Sequence, residues 1–399
     1  MEAGAKQYEI AVIVTVFNKE KFLKDTLESI LTQKTSRPFC IILSDDGSSD
    51  SSRQICADYA AKYHSGSDND SAPLDNDSTL LNNDCKHSLS SARVCVFDIT
   101  DGEHRGVNGN FLHCLKFSIS LNVKYISQID SDDILADPAF LDRQVSFLES
   151  HPEAQAACSS YFLINENTTL DSAREEFHHQ ASSASSHHQA SPASSHQPAP
   201  SPHKAGSSAY IYKDLKVTPK SLLTRNNTIV AGGVTYRTDY LDIYIQDFAS
   251  AKDMTQDLPL WLLLSQYGSF WGCDLKSLAY RNLAESVSRS ENIGEQLKFQ
   301  KASLGTRLRF IEYLKTHPDT QTKNAHAAPA DEVQHHRVSA GETLTHKAKT
   351  LYVKKMLRHY AKLVPEDYPS QLKTALKETP SIIFSKDLWR SIGVYLKNR

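Results

Sequence analysis

Residues 9–16, Glu-Ile-Ala-Val-Ile-Val-Thr-Val, form an almost unbroken apolar run dominated by β-branched side chains. A strand with one wet face alternates apolar and polar residues. A continuous run predicts a strand covered on both faces, as in a parallel sheet flanked by helices. The chain then repeats the theme. Asn18 is the expected N-cap of a helix in which Phe22, Leu23, Leu27, Ile30 and Leu31 share one face. A second strand is expected at 39–43, a helix carrying Ile55 and Tyr59, a third strand at 94–97, a helix at 109–121 and a fourth strand at 125–129. Asp137-Pro138 opens a further helix, with proline at its first position. Strands that alternate with helices predict an α/β fold with a mostly parallel central sheet and flanking helices. Further on, a strand is expected at 228–236, a helix at 257–267, short strands at 269–273 and 276–281, and a helix at 293–315. The last fifty residues read as two or three short helices separated by Pro365, Pro369 and Pro380.

Three polar segments interrupt the pattern, at about 64–92, 172–209 and 317–345. None has an apolar period that offsets its ordering entropy, so disordered insertions are expected there. The histidines of the second (His178, His179, His187, His188, His196, His203) are read as solvated filler rather than as metal ligands. No apolar run approaches the ~20 residues of a spanning helix. Residues 1–9 lack a signal-peptide core, and the seven cysteines form no CxxC pair, so a reduced, cytoplasmic protein is expected. The net charge of -3 argues against nucleic acid as a partner. Its distribution is uneven: residues 346–399 carry about +8, against about -11 on the rest. Apolar residues (Leu351, Met356, Leu357, Ile382, Ile383, Phe384, Leu388, Trp389, Ile392) recur among the basic ones. Two readings stand open for this tail: peripheral contact with an anionic membrane, or packing on the catalytic domain with a solvated basic face.

Ligands of open α/β sheets bind outside the carboxyl ends of the strands. Two acidic clusters are expected there: Asp45-Asp46 after the second strand and Asp130-Ser131-Asp132-Asp133 after the fourth. The first, continued by Gly47-Ser48-Ser49-Asp50, is also an ordinary turn and helix start. The chain has neither GxxxxGK[ST] nor GxGxxG, so a bound diphosphate needs a cation to neutralise it. Hard cations such as Mg²⁺ and Mn²⁺ are held by one or two carboxylates plus substrate phosphates, which makes Asp130, Asp132 and Asp133 the candidate ligands.

Ile-Val-Thr-Val-Phe-Asn-Lys-Glu-Lys-Phe-Leu with Thr-Leu-Glu-Ser-Ile-Leu-Thr-Gln, then Ile-Ile-Leu-Ser-Asp-Asp-Gly-Ser-Ser-Asp and Tyr-Ile-Ser-Gln-Ile-Asp-Ser-Asp-Asp-Ile, resembles family 2 glycosyltransferases of the GT-A fold. The resemblance is specific over about 8–165. It is looser over 225–291, where Thr255-Gln256-Asp257, Tyr280-Arg281 and Ser286-Val287-Ser288-Arg289 look like acceptor-side motifs. It implies a GT-A-like domain over 1–291 and leaves 292–399 as a C-terminal helical region. It also implies a nucleotide-sugar donor contacted by Thr15, Asn18, Asp45, Asp46, Asp130, Ser131 and Asp132. Mn²⁺ or Mg²⁺ would be held at Asp132 and Asp133. Asp257 matches the general base, although Gln256 stands where the family often has Glu, and Asp253 and Asp247 lie nearby. The implied reaction is inverting transfer to a glycan or lipid-linked acceptor in surface polysaccharide synthesis. Tyr280, Arg281 and Arg289 are weaker candidates for donor phosphate, and Trp261 and Trp271 for acceptor stacking. Two rivals stand beside this reading. One is a catalytically inactive sugar-nucleotide-binding module. The other is a haloacid-dehalogenase-like phosphatase, whose DxD motif follows the first strand rather than the fourth.

Overall fold

The computed structural model describes residues 8–63, 94–185, 209–210, 212, 215, 217–225, 227, 229–283, 292–317 and 337–398. The insertion expected at 64–92 lies outside the described residues, as do 186–208 and 318–336. The described chain forms two compact units. A sheet unit draws on 1–216, 228–252 and 268–282; a helical unit draws on 217–227, 253–267 and 283–399. The short segments 217–227 and 253–267 group with 283–399.

In the sheet unit, β1 (Ile10–Val16), β2 (Phe39–Asp45), β3 (Val94–Asp98) and β4 (Tyr125–Gln128) lie in the order β3-β2-β1-β4, all parallel. β1 is buried along nearly its whole length and β2 completely, as continuous apolar runs require. Full burial of each such side chain contributes about 1.5–3 kcal/mol. The sheet continues through β5 (Ile134–Leu135), β6 (Ala154–Ile164), β7 (Ala209–Tyr210), β8 (Val234–Arg237) and β9 (Ser269–Arg281). There only β6 and β9 run parallel; the other pairings are antiparallel. The two short strands expected at 269–273 and 276–281 are one strand, β9, whose register with β6 shifts between Ser159 and Tyr161.

Helices α1 (Leu23–Leu31), α2 (Ser52–Tyr63), α3 (Gly106–Ser120), α4 (Phe140–Ser150), α5 (Leu170–Ser185) and α7 (Leu241–Ile243) complete this unit. α6 (Pro219–Thr224) belongs to the other unit. α5 corrects an expectation: residues 172–185 are helical rather than part of a disordered insertion. Its two inward apolar residues, Ala173 and Phe177, sit one turn apart and pack with Ile134, Phe162, Ile164 and Ala279. After the undescribed stretch the chain resumes in β7, and just beyond it the Tyr212 N–H donates to Ser160 Oγ at 2.7 Å. Gly272 of β9 lies beneath it; a Cβ there would sit 1.9 Å from the Tyr212 carbonyl oxygen.

The helical unit holds α6, α8 (Asp257–Leu264), α9 (Ile293–Thr316), α10 (Arg337–Leu363), α11 (Tyr368–Glu378) and α12 (Lys386–Asn398). α10 is 27 residues long, so 337–345 is helix and not polar loop. A small core of its own (Val353, Leu357, Ala361, Tyr368, Ala375, Ile382, Leu388) joins α10, α11 and α12.

Candidate active site

The four parallel strands end on one edge, and the loops that follow them are cross-linked. Asn18 does not cap α1: the N-cap position is Phe22, with no side-chain cap. Asn18 instead adopts φ +52, a left-handed conformation that asparagine tolerates. From there its Oδ1 accepts the Ser49 N–H at 2.8 Å and its own N–H donates to Ser48 Oγ at 2.8 Å. Lys19 N–H donates to Ser52 Oγ at 2.7 Å, so the loop after β1 is stitched to the loop after β2. Thr15 is half-buried on β1, opposite Ser44 of β2.

Asp45 and Asp46 are both buried, and each organises backbone. Asp45 Oδ1 accepts the N–H groups of Gly47 and Ser48 at 3.2 and 2.9 Å, and its Oδ2 accepts the Ser48 hydroxyl. Asp46 Oδ1 accepts Arg105 N–H at 2.6 Å and its Oδ2 lies 3.2 Å from His104 Nδ1, tying the β2 loop to the start of α3. The bland turn reading of this cluster is therefore realised in its geometry, on the edge where ligands of such sheets bind.

The acidic loop after β4 is held from beneath by α1. Thr26, Ser29 and Gln33 fall on one helix face at spacings of three and four. Thr26 Oγ1 donates to Asp133 O at 2.7 Å, Ser29 Oγ accepts Leu135 N–H at 3.1 Å, and Gln33 bonds Asp137 O and Leu141 N at 3.0 and 3.1 Å. These positioning residues escaped the sequence reading; the signal was a polar stripe within an apolar helix face. Asp132, half-buried, places Oδ2 2.7 Å from Lys19 Nζ, a partner that no local pattern reveals. Ser131 is buried and Asp130 half-buried beside it.

Asp133 turns inward. Its Oδ1 accepts Arg281 N–H from β9 at 2.7 Å, while Oδ2 is buried without a hydrogen-bond partner among the described residues. A Cβ on Gly232 would lie 3.0 Å from that oxygen. Burial pushes the Asp133 carboxyl well above the usual carboxylate range; the charges of Asp132 and Asp130 add to the shift, and Arg281 opposes it. Arg281 itself gives Nε to Asp132 O at 2.7 Å, Nη1 to Asn165 O at 2.5 Å and Nη2 to Thr168 O at 3.1 Å. Its guanidinium is thus committed to carbonyls, not presented to a phosphate. Carboxylate oxygen is the right donor type for Mg²⁺ or Mn²⁺. Among the described residues, however, no three His, Cys, Asp or Glu side chains converge to hold an ion. Asp133 fastens the loop to β9 through Arg281, and Asp132 carries Lys19 on its Oδ2.

Asp257 lies in the helical unit, whereas Thr15, Asn18, Asp45, Asp46, Asp130, Ser131, Asp132 and Asp133 all lie in the sheet unit. It opens α8, whose following seven residues, Leu258–Leu264, are all buried. Its Oδ1 accepts Leu258 N–H at 2.7 Å and its Oδ2 accepts Asn227 Nδ2 at 2.6 Å. Burial raises its pKa, opposed by those donors and by Thr255. The rival Asp253 is tied to α9 through both oxygens, by Thr306 Oγ1 at 2.9 Å and Arg309 Nη2 at 2.6 Å. Asp247 falls in a π-helical turn of the sheet unit. Of the acceptor-stacking candidates, Trp261 alone is core, while Trp271 is half-buried. Trp261 is buried in α8, and Trp271 packs by Phe147 and His151. Arg289 lies outside the described residues.

Residues 11–197 match the family model for glycosyl transferase family 2. An uncharacterized protein of Mycobacterium bovis is 23% identical over 163 residues, 41% of this chain and 38% of that protein. The putative glycosyltransferase EpsE of Bacillus subtilis is 28% identical over 166 residues, 42% of this chain and 46% of that one. The chain thus spans less than half the length of these curated relatives. Among solved structures, S. aureus TarS 1-349 in complex with UDP superposes with a TM-score of 0.44 at 13% identity, covering 98% of this chain and 91% of that one. The mannosyltransferase PcManGT of Pyrobaculum calidifontis, in complex with GDP-Man and Mn²⁺, gives 0.43 at 10% identity, covering 98% and 85%. The sheet unit is a mixed sheet flanked by helices, the α/β class expected from the sequence, and over residues 11–197 the chain is similar to glycosyl transferase family 2.

Proposed function

We propose that the chain transfers a sugar from a nucleoside-diphosphate donor to a hydroxyl of a glycan or lipid-linked acceptor, with inversion at the anomeric carbon. The family match over 11–197 carries this reading. Thr15, Asn18, Asp45 and Asp46 contact the nucleoside, and Asp130, Ser131 and Asp132 the diphosphate side. Asp257 takes the proton of the acceptor hydroxyl as that oxygen attacks the anomeric carbon. The bond to the diphosphate oxygen breaks, and its electron pair leaves with the nucleotide. A divalent cation at Asp132 would offset the charge gathering on the leaving group.

Synthesis of a surface polysaccharide in the cytoplasm, with peripheral contact to an anionic membrane through 346–399, completes the reading by analogy. Among the described residues no helix is long and apolar enough to cross a membrane. An inactive binding module is the second reading, favoured by one observation: the Lys19 ammonium, 2.7 Å from Asp132, already neutralises the carboxylate assigned to the cation.

A thermal-shift panel of nucleoside diphosphates with and without Mn²⁺ tests the reading. A ligand at about 100 times its Kd stabilises the fold by about 2.7 kcal/mol. No shift with any nucleotide overturns both readings. A shift without release of nucleotide from the matching sugar donor, with acceptor extract present, favours the inactive module.

A further inference from the structure

The basic C-terminal region is amphipathic by sequence, but the fold consumes most of its apolar residues. Leu357, Ile382 and Leu388 are in the small core of the helical unit, and Met356 and Ile392 pack against it. Three large apolar side chains remain outside: Ile383 at 47% exposure, Trp389 at 63% and Leu396 at 65%. Elsewhere among the described residues only Phe17 and Val107 are comparably exposed.

The rotation of α12 is fixed from its inner side. Ser391 Oγ bonds Tyr368 Oη at 2.7 Å, and the Tyr395 ring stacks on Tyr368 at 4.8 Å. At 3.6 residues per turn this leaves two parallel ridges outward. Trp389 and Leu396 form an apolar ridge; Lys386, Arg390 and Lys397 form a basic one beside it, with Gly393 between. The one acidic residue of the helix, Asp387, is paired from α10, 3.3 Å from Arg358 and 3.5 Å from Lys354. Arg390 also approaches it, at 3.7 Å.

We propose that this outer face of α12, with Ile383, docks on an anionic lipid bilayer. Tryptophan beside lysine and arginine suits the boundary between headgroups and acyl chains. The indole and Leu396 enter the apolar side while the cations stay at the phosphates. The apolar patch is narrow and continuous with a cationic ridge, which matches an extended negative surface. The proposal rests on the reading of a lipid-linked acceptor only for its purpose, and its test needs no donor or acceptor.

The full chain is sedimented with phosphatidylcholine vesicles with or without phosphatidylglycerol. Binding is expected to the anionic vesicles alone. It should fall at least about tenfold as salt rises from about 0.1 M to about 1 M, because the screening length drops from about 10 to about 3 Å. Trp389→Ser with Leu396→Ser, and separately Lys386→Gln with Arg390→Gln and Lys397→Gln, should each lower the bound fraction about tenfold with melting temperature unchanged. Trp389 emission should shift to the blue on binding, whereas the buried Trp261 is silent. No sedimentation with either vesicle, equal sedimentation with both, or full binding by both variants overturns the proposal. Failure here with a positive nucleotide panel removes the docking face alone; the converse removes the transferase reading alone.

Discussion

In the sheet unit the buried Asp, Glu, Lys and Arg side chains are mostly carboxyls, and loops at strand ends surround them with donors. Asp45 and Asp46 accept backbone N–H groups from Gly47, Ser48 and Arg105, and Asp133 accepts one from Arg281. In the helical unit, α9 carries the buried Arg307 and α10 the half-buried Lys355. Burial lowers the pKa of Arg307 to about 10, so it stays charged at neutral pH; its Nε donates to Leu222 O at 2.9 Å, its Nη2 to Arg225 O at 3.2 Å, and its Nη1 to Ser303 O at 3.1 Å on its own helix. The carbonyls of Leu222 and Arg225 lie at the end of α6, where the helix cannot use them. Lys355 faces the middle of helices, whose carbonyls are spent internally. Burial, with Arg307 and Arg358 nearby, lowers its pKa to about 7, and that of His359 falls to about 4. The difference is one of degree: carbonyls at the end of α6 help to hold Arg307, which stays charged at neutral pH, whereas Lys355 titrates near neutrality.

The largest effect expected from breaking this contrast is at Asp132, the carboxylate with least backbone commitment. Asp132→Asn should lower turnover by on the order of 10²–10³-fold or more with the melting temperature kept, measured as nucleotide release. Near-normal turnover would remove Asp132 from the chemistry. Asp257→Asn should cost about 10²–10⁴-fold in turnover while donor affinity holds. A base works deprotonated, and burial raises this one, so the acid limb of the rate profile should lie above the ordinary carboxylate range and vanish in the variant. Asp253→Asn should instead lower the melting temperature, since Thr306 and Arg309 lose their partner; the opposite pattern would move the base to Asp253.

Lys355→Met sharpens the comparison from the other side. The folded pKa of Lys355 is depressed, so its full stability is present only above the unfolded value near 10.5. It is lost as pH falls towards the folded value of about 7. The variant should therefore melt higher than the parent at neutral pH, by about 2–4 °C per kcal/mol relieved. The gap should close as pH approaches the unfolded value, and a gap independent of pH would show that packing rather than charge is responsible. Smallest is the deletion of residues 187–206, which should leave melting and nucleotide binding nearly unchanged. Extending the cut back to 175 would remove Phe177 from its core, at about 3–5 kcal/mol.

The strands most readable from sequence were those buried on both faces by β-branched residues, β1 and β2 above all. β6 was missed altogether. Its residues, Ala-Gln-Ala-Ala-Cys-Ser-Ser-Tyr-Phe-Leu-Ile, are small, partly helix-forming and without alternation. Pairing with β8 and β9 decides its conformation, and that is a long-range fact. α5 was hidden by low-complexity composition, although Ala173 and Phe177 had helical spacing. At the site, acids at strand ends were legible because turn and loop chemistry is local. Lys19 on Asp132 and Arg281 on the β4 loop were not, since each pair joins residues more than a hundred positions apart.

The crossing of Gly272 beneath Tyr212 makes the return of the chain to β9 a fixed fastening. A side chain at Gly272 would strike backbone that cannot swing aside. On the other bank, Ala173 and Phe177 fasten the departure. Between two such posts the connecting length is thermodynamically cheap to alter, about 0.6 kcal/mol per doubling. A sequence grafted between residues 187 and 206 should therefore be borne by these two fastenings and leave the pairing of β6 with β9 intact.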